Sequence, residues 1–202
     1  MTIQINAPTE HSFDTPIELL SDCHRRIERF LDQMIAVVDE CRGGELDRAH
    51  RDALETAMRY FRQAAPLHTA DEEVSLFPRL RRSGQASVQE ALDVLDRLEQ
   101  DHIVAAEAHT EIDALAQKWL SAGVLEGTDV ERLSLELHSL RSMYNRHIAL
   151  EDGTLFPLAG TVLPPAEVAQ LGREMAVRRG LDPDRLPTQG RCAERRARRN
   201  VG

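Results

Sequence analysis

The chain contains the stretch HIALEDGTLFP at residues 147–157 and a related stretch, HTADEEVSLFP, at residues 68–78. Each begins with a histidine, has a glutamate four residues later and ends with Leu-Phe-Pro. Residues at positions i and i+4 lie on one face of a helix, about one turn apart. His68 with Glu72, and His147 with Glu151, can therefore reach one metal centre, each pair from a single helix.

A second, shorter repeat precedes each of these pairs. Residues 20–24 read LSDCH and residues 98–102 read LEQDH, so each half of the chain supplies one separate histidine before its His-x-x-x-Glu pair. This is the ligand set of a di-metal site in which four helices project imidazoles and carboxylates inward. We predict that the metal is held by these six side chains: His24, His68, Glu72, His102, His147 and Glu151.

Apolar residues recur at steps of three and four along four long segments, the spacing of amphipathic helices. The predicted metal ligands continue these stripes; His24, for example, falls between Leu20 and Ile27. The predicted helices cover about residues 16–41, 45–78, 87–120 and 129–157, and a short fifth helix covers about 166–179. Pro66 and Pro78 should bend or end the second helix. The sequence predicts an all-α, up-and-down four-helix bundle over residues 14–180, followed by a disordered basic tail at 181–202.

Composition limits the classes of partner. At 202 residues the chain suits one domain, and its net charge of −9 gives it no electrostatic reason to bind nucleic acid or an anionic membrane. The arginine cluster at residues 195–199 could touch nucleic acid, but a solvated tail is the better interpretation.

Targeting signals are not evident. No apolar run approaches the roughly 18 residues of a membrane helix, and residues 1–6 do not read as a signal peptide. Three widely spaced cysteines without a Cys-x-x-Cys pair favour a cytoplasmic protein with free thiols.

Four other polar residues are weaker candidates for the site. His11 lies in a polar lead-in, His50 is roughly 27 Å from His68 along a helix, and His138 is predicted to face outward. Glu28 shares a face with His24 and could be an extra ligand. Because arginines flank it, we interpret Glu28 as a surface ion-pair residue.

His109 and Tyr144 fall on interior stripes. We interpret His109, seven residues after His102, as lining the interior or held by a polar partner rather than as a ligand. Tyr144 lies one turn before His147, and a buried tyrosine hydroxyl needs a partner. A ligand oxygen at the metal would serve, and plain core packing is equally compatible.

The donor set also bears on the metal. Four imidazoles and two carboxylates without a thiolate favour iron, manganese or zinc over a cysteine-rich zinc site or an all-oxygen calcium site. Two glutamates from different helices can bridge two ions, each of which then takes two histidines. A bridged pair with open positions suits redox-active iron better than zinc, which prefers closed four-coordinate sites.

These residues resemble the bacterial hemerythrin-like (HHE cation-binding) domains over about residues 14–180. The resemblance rests on the separate histidines, the two His-x-x-x-Glu pairs and the Leu-Phe-Pro after each pair. It implies a four-helix bundle around two iron ions, a non-haem di-iron centre bridged by Glu72, Glu151 and an oxo or hydroxo group.

The chain departs from the oxygen-carrying hemerythrins at two positions. Those proteins have a second histidine one turn after the separate histidine of the third helix, where this chain has Ala106. Their last carboxylate is an aspartate five residues after its histidine; here Glu151 stands at four and Asp152 at five. Ala106, which falls on the predicted interior stripe, leaves one coordination position and some volume open beside the metal.

The pattern is closer to hemerythrin-like proteins linked to nitric oxide, peroxide and iron-cluster repair. It implies a protein that binds or reacts with O₂, NO or H₂O₂ in stress response or sensing. A catalase-like enzyme that decomposes peroxide, and a protein for iron-cluster repair or iron supply, are the alternatives.

Overall fold

A computed structural model describes residues 11–89 and 91–186 of the chain. This part consists of helices and turns, without a β-strand. The helices are α1 Pro16–Cys41, α2 Arg48–Gln63, α3 Ala65–Ala70, α4 Phe77–Arg82, α5 Ala86–Gln89, α6 Leu92–Ala122, α7 Gly127–Leu150, α8 Phe156–Val162 and α9 Pro165–Arg178. Two π-helical turns, π1 Asp71–Leu76 and π2 Glu151–Leu155, join α3 to α4 and α7 to α8, and a 3-10 turn, Pro183–Arg185, follows α9. The all-α prediction is confirmed.

The bundle contains two apolar cores with the predicted ligands between them. The upper core includes Leu20, Leu76, Leu98 and Leu155, and the lower core is the larger cluster built around α1, α2, α6 and α7. Along α1 and α6 the chain passes from the upper core through a predicted ligand to the lower core, and along α2 and α7 it runs the opposite way. Neighbouring long helices are therefore antiparallel, as in the predicted up-and-down bundle.

The two π turns lie at the ligand glutamates. The N–H of Phe77 bonds to the carbonyl of Glu72, and the N–H of Phe156 bonds to the carbonyl of Glu151, in each case five residues back. Pro78 and Pro157 follow directly and have no N–H with which to continue an α-helical ladder. Single π turns inside helices are frequent at functional sites. For Pro78 the sequence predicted a bend or an end of the helix. The helix does not end there, and one wider turn precedes the proline.

The lower end of the bundle is closed by contacts between two loops. Leu125 donates its N–H to the carbonyl of Gly43, and the indole N–H of Trp119 bonds to the carbonyl of Gly44 at 2.9 Å. A Cβ on Gly43 would lie 2.5 Å from the Leu125 carbonyl oxygen, and the φ of Gly43 is +78°. Glycine is therefore required where the two loops meet.

The fifth predicted helix is α9, which lies against α1 and π1. Leu171 and Met175 bury their side chains in the upper core. A Cβ on Gly172 would stand 1.9 Å from the carbonyl oxygen of Phe13, so glycine lets the N-terminal segment cross the helix closely. The helix thus covers one side of the ligand layer.

Some boundaries differ from the predicted ones. The second predicted helix is divided into α2, α3, π1 and α4, with its first break just before Pro66, and α6 begins at Leu92 after the separate turn α5. The predicted tail begins with the 3-10 turn, and residues 187–202, which include the arginine cluster, lie outside the described residues, as do residues 1–10. Within the described ranges, none of the helices has the length and apolar character needed to cross a bilayer.

Candidate metal centre

The six predicted ligands come together in one buried layer. Their exposed fractions lie between 0% for Glu72 and 8% for His102. α1 supplies His24, α3 and π1 supply His68 and Glu72, α6 supplies His102, and α7 and π2 supply His147 and Glu151. Because each half of the chain supplies one histidine from its first long helix and a His-Glu pair from its second helical segment, the layer has approximate two-fold symmetry.

Glu72 lies between two groups of imidazoles. Its Oε1 is 3.3 Å from Nε2 of His68 and 3.8 Å from Nε2 of His24, while its Oε2 is 3.4 Å from Nε2 of His102. The ligand atoms form two clusters that share this residue, one with His24 and His68 and one with His102, His147 and Glu151. A carboxylate whose two oxygens face opposite ways has the position of a bridging ligand.

Glu151 also spans the layer. Its Oε2 is 3.1 Å from Nε2 of His24 and 3.1 Å from Nε2 of His147, which belong to different clusters. All four histidines therefore present Nε2 toward the carboxylates.

The buried atoms of this layer lack ordinary partners. Both oxygens of Glu72, both oxygens of Glu151 and Nε2 of His24 make no hydrogen bond to the described residues. A buried carboxylate without a donor is strongly unfavourable unless a cation compensates it. The orphaned oxygens, together with a nitrogen and oxygen donor set, fit metal cations.

The ionisation of the carboxylates is consistent with this fit. Burial alone would raise the pKa of Glu72, but His68, His102 and His24 around it lower its pKa well below the ordinary value. Burial lowers the pKa of His68 to about 4, so this imidazole is neutral near pH 7. Metal ions require a deprotonated carboxylate and a neutral imidazole. Glu72 and His68 are in the state that a cation needs. Despite burial, the carboxylates around His24 and His102 raise the pKa of both imidazoles, that of His102 to about 9, so a cation would displace their Nε2 protons on binding.

Two carboxylates outside the layer orient the separate histidines. Nδ1 of His24 donates to Asp152 at 2.9 Å, and Nδ1 of His102 donates to Glu73 at 2.8 Å. Each acid directly follows the ligand glutamate of the other half of the repeat, so the halves exchange support. A carboxylate on Nδ1 fixes the tautomer and leaves Nε2 free to bind metal.

The Leu-Phe-Pro segments take part in the same exchange. The ring of Phe156 stacks on His24 at a centroid distance of 5.3 Å, and the ring of Phe77 lies parallel to His102 at 6.3 Å. The repeated phenylalanine thus restrains the imidazole that comes from the opposite half of the chain. This explains why the repeat extends beyond the ligands themselves.

The remaining two histidines are supported unequally. Oδ2 of Asp101 lies 3.4 Å from Nδ1 of His147, an ionic contact without hydrogen-bond geometry. Nδ1 of His68 has no hydrogen-bond partner among the described residues. In the repeat, the position of Asp101 is taken by Cys23, whose thiol cannot replace the carboxylate. The two clusters are therefore not equivalent.

The other candidates lie outside the layer. His50 bonds to Asp47 and Glu40, His138 is exposed, and Glu28 pairs with Arg25 and Arg141, as expected of a surface ion-pair residue. His11 contacts Asp22. The sequence interpretation of these four residues agrees with their surroundings.

His109 and Tyr144 bond to each other. Nε2 of His109 lies 3.2 Å from the Tyr144 hydroxyl, and the tyrosine is 7% exposed. The polar partner expected for His109 is thus Tyr144. Burial lowers the pKa of His109 to about 4 and raises that of Tyr144, so both side chains are neutral near pH 7.

Ala106 is exposed, and its prediction as an interior residue was wrong. It lines a cavity of about 430 Å³ between α2–α3 and α6 that reaches His102 and Tyr144. The stripe pattern places Ala106 one turn from His102, but the space between these helices is open to solvent at this height. The volume expected beside the ligands is present as an open cavity.

Sequence reasoning missed the supporting acids and π1's ionic contacts to α9. A usable signal for the acids was the run Glu72-Glu73 and its counterpart Glu151-Asp152, in which an acid follows each ligand glutamate. Their target is a histidine in the other half, and this depends on how the helices pair. The sequence gives no direct sign of that pairing.

Comparison with known proteins agrees with this geometry. The family model described as the hemerythrin HHE cation-binding domain matches residues 15–159, which include all six residues of the layer. A protein of Haemophilus influenzae described as uncharacterized is 29% identical over 183 residues, covering 88% of this chain and 98% of the relative. Since the family model covers more than half of the chain, the protein belongs to the hemerythrin HHE cation-binding domain family.

Proposed function

We propose that this chain is a non-haem di-iron protein that binds or reacts with O₂, NO or H₂O₂. The observation that carries the proposal is the position of Glu72, whose oxygens face imidazoles of two different clusters. One carboxylate placed in this way suits two cations that share it. His24 and His68 would hold one ion and His102 and His147 the other, with Glu72 and Glu151 between them.

The choice of iron rests on the donors. A nitrogen and oxygen set without thiolate, which leaves coordination positions open, is typical of non-haem iron. Two imidazoles and two shared carboxylates per ion do not fill an octahedral shell. A bound pair of iron ions supplies two electrons and open positions, the chemistry that O₂, NO and peroxide require.

The chain's own residues prepare and protect this layer. Asp152 and Glu73 hold Nδ1 of His24 and His102, so that Nε2 points inward. The upper and lower cores exclude bulk water from above and below the layer. The cavity at His102 supplies a route for a small ligand.

The test is reconstitution of the purified protein with iron(II) under anaerobic conditions, followed by metal analysis and absorption spectroscopy. We expect two iron ions per chain and a spectral change on adding at least one of O₂, NO and H₂O₂. His102→Ala should lose most of both signals, while His138→Ala, a matched change at an exposed histidine on α7, should keep them. A protein that binds no iron, or spectra unchanged by all three ligands, would overturn the proposal.

Catalase-like turnover of H₂O₂ is the second candidate, favoured by the open cavity at His102. An exposed route lets peroxide and products exchange without movement of the bundle. Oxygen evolution from H₂O₂ by the iron-loaded protein should exceed that of the same concentration of free iron. Equal rates would exclude this candidate and leave ligand binding as the activity.

A further inference from the structure

The cavity beside His102 has features that a two-atom ligand does not need. Its apolar walls are Phe61, Ala65, Pro66, Ala105 and Ala106, from α2, α3 and α6. These residues lie on helices of the bundle rather than on loops. The cavity is therefore a fixed feature of the space between α2–α3 and α6.

Its size fits an organic molecule. A water molecule occupies about 30 Å³ in the liquid, and a ligand with two heavy atoms occupies about twice that. O₂, NO or H₂O₂ would therefore fill only about one seventh of the cavity's 430 Å³. Pockets for small organic ligands have volumes of about 300–1,000 Å³ and are mostly apolar with a few placed polar groups. The cavity therefore has the size and lining of a pocket for a small organic ligand.

Its charges favour a neutral ligand. The two charged lining residues, Arg62 and Asp113, pair with each other at 2.6 Å and 2.9 Å. The half-buried His109 is neutral near pH 7, since its partial removal from water lowers its pKa to about 4. An ionic ligand would have to break the Arg62–Asp113 pair, whereas a neutral one would leave it intact.

The polar lining of the cavity includes the predicted ligand His102 and two threonines, Thr69 and Thr110. His102 lines it together with the bonded pair His109 and Tyr144. A hydroxyl that donates one hydrogen bond retains two lone pairs, so Tyr144 can donate to His109 and still accept from an O–H group. A small molecule that fits this cavity carries an O–H group at the end nearest His102. Its apolar body lies between Phe61 and Ala106.

We propose that the cavity binds a small, neutral organic hydroperoxide, with its apolar body against α2–α3 and α6 and its OOH group toward His102 and Tyr144. This inference rests on the proposed function, because the iron pair is what makes a hydroperoxide the reactive member of this class. In the reaction the O–O bond breaks and the products are an alcohol and water. Two protons come from solvent, and two electrons come from two ferrous ions that become ferric.

The test uses the iron-loaded protein and two probes. Cumyl alcohol, the unreactive analogue of cumene hydroperoxide, is titrated by calorimetry, and the rates of oxidation of the ferrous protein by cumene hydroperoxide and by H₂O₂ are compared. We expect saturable binding of the alcohol to the wild type. Ala106→Leu, which adds three carbon atoms to the cavity wall, should weaken that binding. It should also lower the ratio of the cumene hydroperoxide rate to the H₂O₂ rate by about tenfold or more. Ala114→Leu, the same change at an exposed alanine two turns along α6, should leave both unchanged.

The outcomes separate the two proposals. Reaction with H₂O₂ but no alcohol binding, or a rate ratio that Ala106→Leu does not change, overturns the organic ligand and leaves the di-iron function standing. Spectra that O₂, NO and both peroxides leave unchanged overturn the proposed function. In that case alcohol binding that is lost in Ala106→Leu still supports the cavity as an organic-ligand site.

Discussion

The two π turns have the same ligands and different surroundings. In π1, Asp71 and Ser75 are buried beneath α9, whereas Thr154, which corresponds to Ser75, is exposed in π2. Asp71 accepts hydrogen bonds from Arg178 and from Arg179 of the segment that ends α9. The repeat thus preserves the residues that face the ligand layer. The contacts on the outside of the two turns involve different residues.

The second half of the repeat has no equivalent of these ion pairs between Asp71 and the arginines at the end of α9. The positions that correspond to Asp71 and Arg79 are Leu150 and Leu158. Arg79 ties π1 to α9 through Glu174, at 2.7 Å and 2.9 Å, and through Glu167. In π2 it is Asp152 that reaches outward, bonding to Ser21, His24 and Arg25 of α1. One turn is held by an added helix and the other by a helix of the bundle.

Glu72→Ala should have the largest effect, because it removes the residue that faces both clusters. We expect it to lose both iron ions and to lower metal affinity by more than about 100-fold, the upper value for losing a supporting partner alone. Iron per chain, measured after reconstitution and desalting, checks this. Glu107→Ala, at an exposed position on α6, is the control, and a Glu72→Ala protein that keeps two irons would show that the two clusters do not depend on a shared carboxylate.

Asp71→Asn should break the ion pairs that join π1 to the arginines at the end of α9. It leaves two arginine side chains, each about a fifth exposed (19% and 22%), facing a neutral amide. Removing one partner of a buried ion pair costs about 3–5 kcal/mol, and we expect a value near the lower limit because the arginines retain some water.

Urea unfolding of the metal-free protein measures this change. Asp52→Asn provides the comparison, since Asp52 and its partner Arg48 are both largely exposed, and such pairs contribute at most about 1 kcal/mol. Equal stability losses in the two variants would mean that α9 does not stabilise the first half.

Asp152→Asn and Glu73→Gln test the exchange of support between the halves. Each removes the carboxylate that holds Nδ1 of a ligand histidine, and loss of such a partner typically lowers metal affinity about 10–100-fold. We expect Asp152→Asn to have the larger effect, because Asp152 also bonds to Ser21 and Arg25. Competition with a chromophoric chelator measures the affinity.

Glu111→Gln, which changes an acid paired with Arg132 away from the layer, controls for the loss of one charge. If Glu73→Gln weakens binding more than Asp152→Asn does, the additional bonds of Asp152 contribute nothing to holding His24.

The pair His109 and Tyr144 marks a smaller difference between the halves. The corresponding positions in the first half are Leu31 and Ala65, both apolar. Tyr144→Phe leaves the buried Nε2 of His109 without its partner and should lower stability by about 1 kcal/mol. Adding His109→Leu removes both polar groups, and the double variant should recover most of that loss.

A double-mutant cycle by urea unfolding measures the coupling energy. A double variant whose loss is the sum of the two single losses would show that the hydrogen bond contributes no stability.

The fold and the six residues of the layer were predictable because both depend on spacing within single helices. The steps of three and four placed Leu20, His24 and Ile27 on one face, and the structure buries all three. The repeat supplied the rest, since each half independently presents the same ligands. Features that depend only on residue spacing within a single helix can be predicted from one sequence.

The support of the layer was not predictable, because it depends on how helices lie beside each other. Glu73 reaches His102, and Asp71 reaches Arg178, across contacts that join distant parts of the chain. The exposure of Ala106 likewise depends on the distance between α2–α3 and α6. Its place on the apolar stripe of α6 does not determine that distance. The backbone hydrogen bonds of the π turns also span one residue more than those of an α-helix, and apolar periodicity does not reveal this shift.

The position of Trp119 has a practical consequence for spectroscopy. It is the only tryptophan of the chain and is fully buried at the closed lower end. It follows His102 on α6 by 17 residues, a separation of roughly 25 Å along the helix axis. Its fluorescence emission therefore reports the order of the loops at Gly43 and Gly44, while visible absorption would report the ligand layer. With iron bound, the protein would carry separate optical reporters for its lower end and for the ligand layer between the two cores. Loss of metal and opening of the lower end could then be followed in one sample.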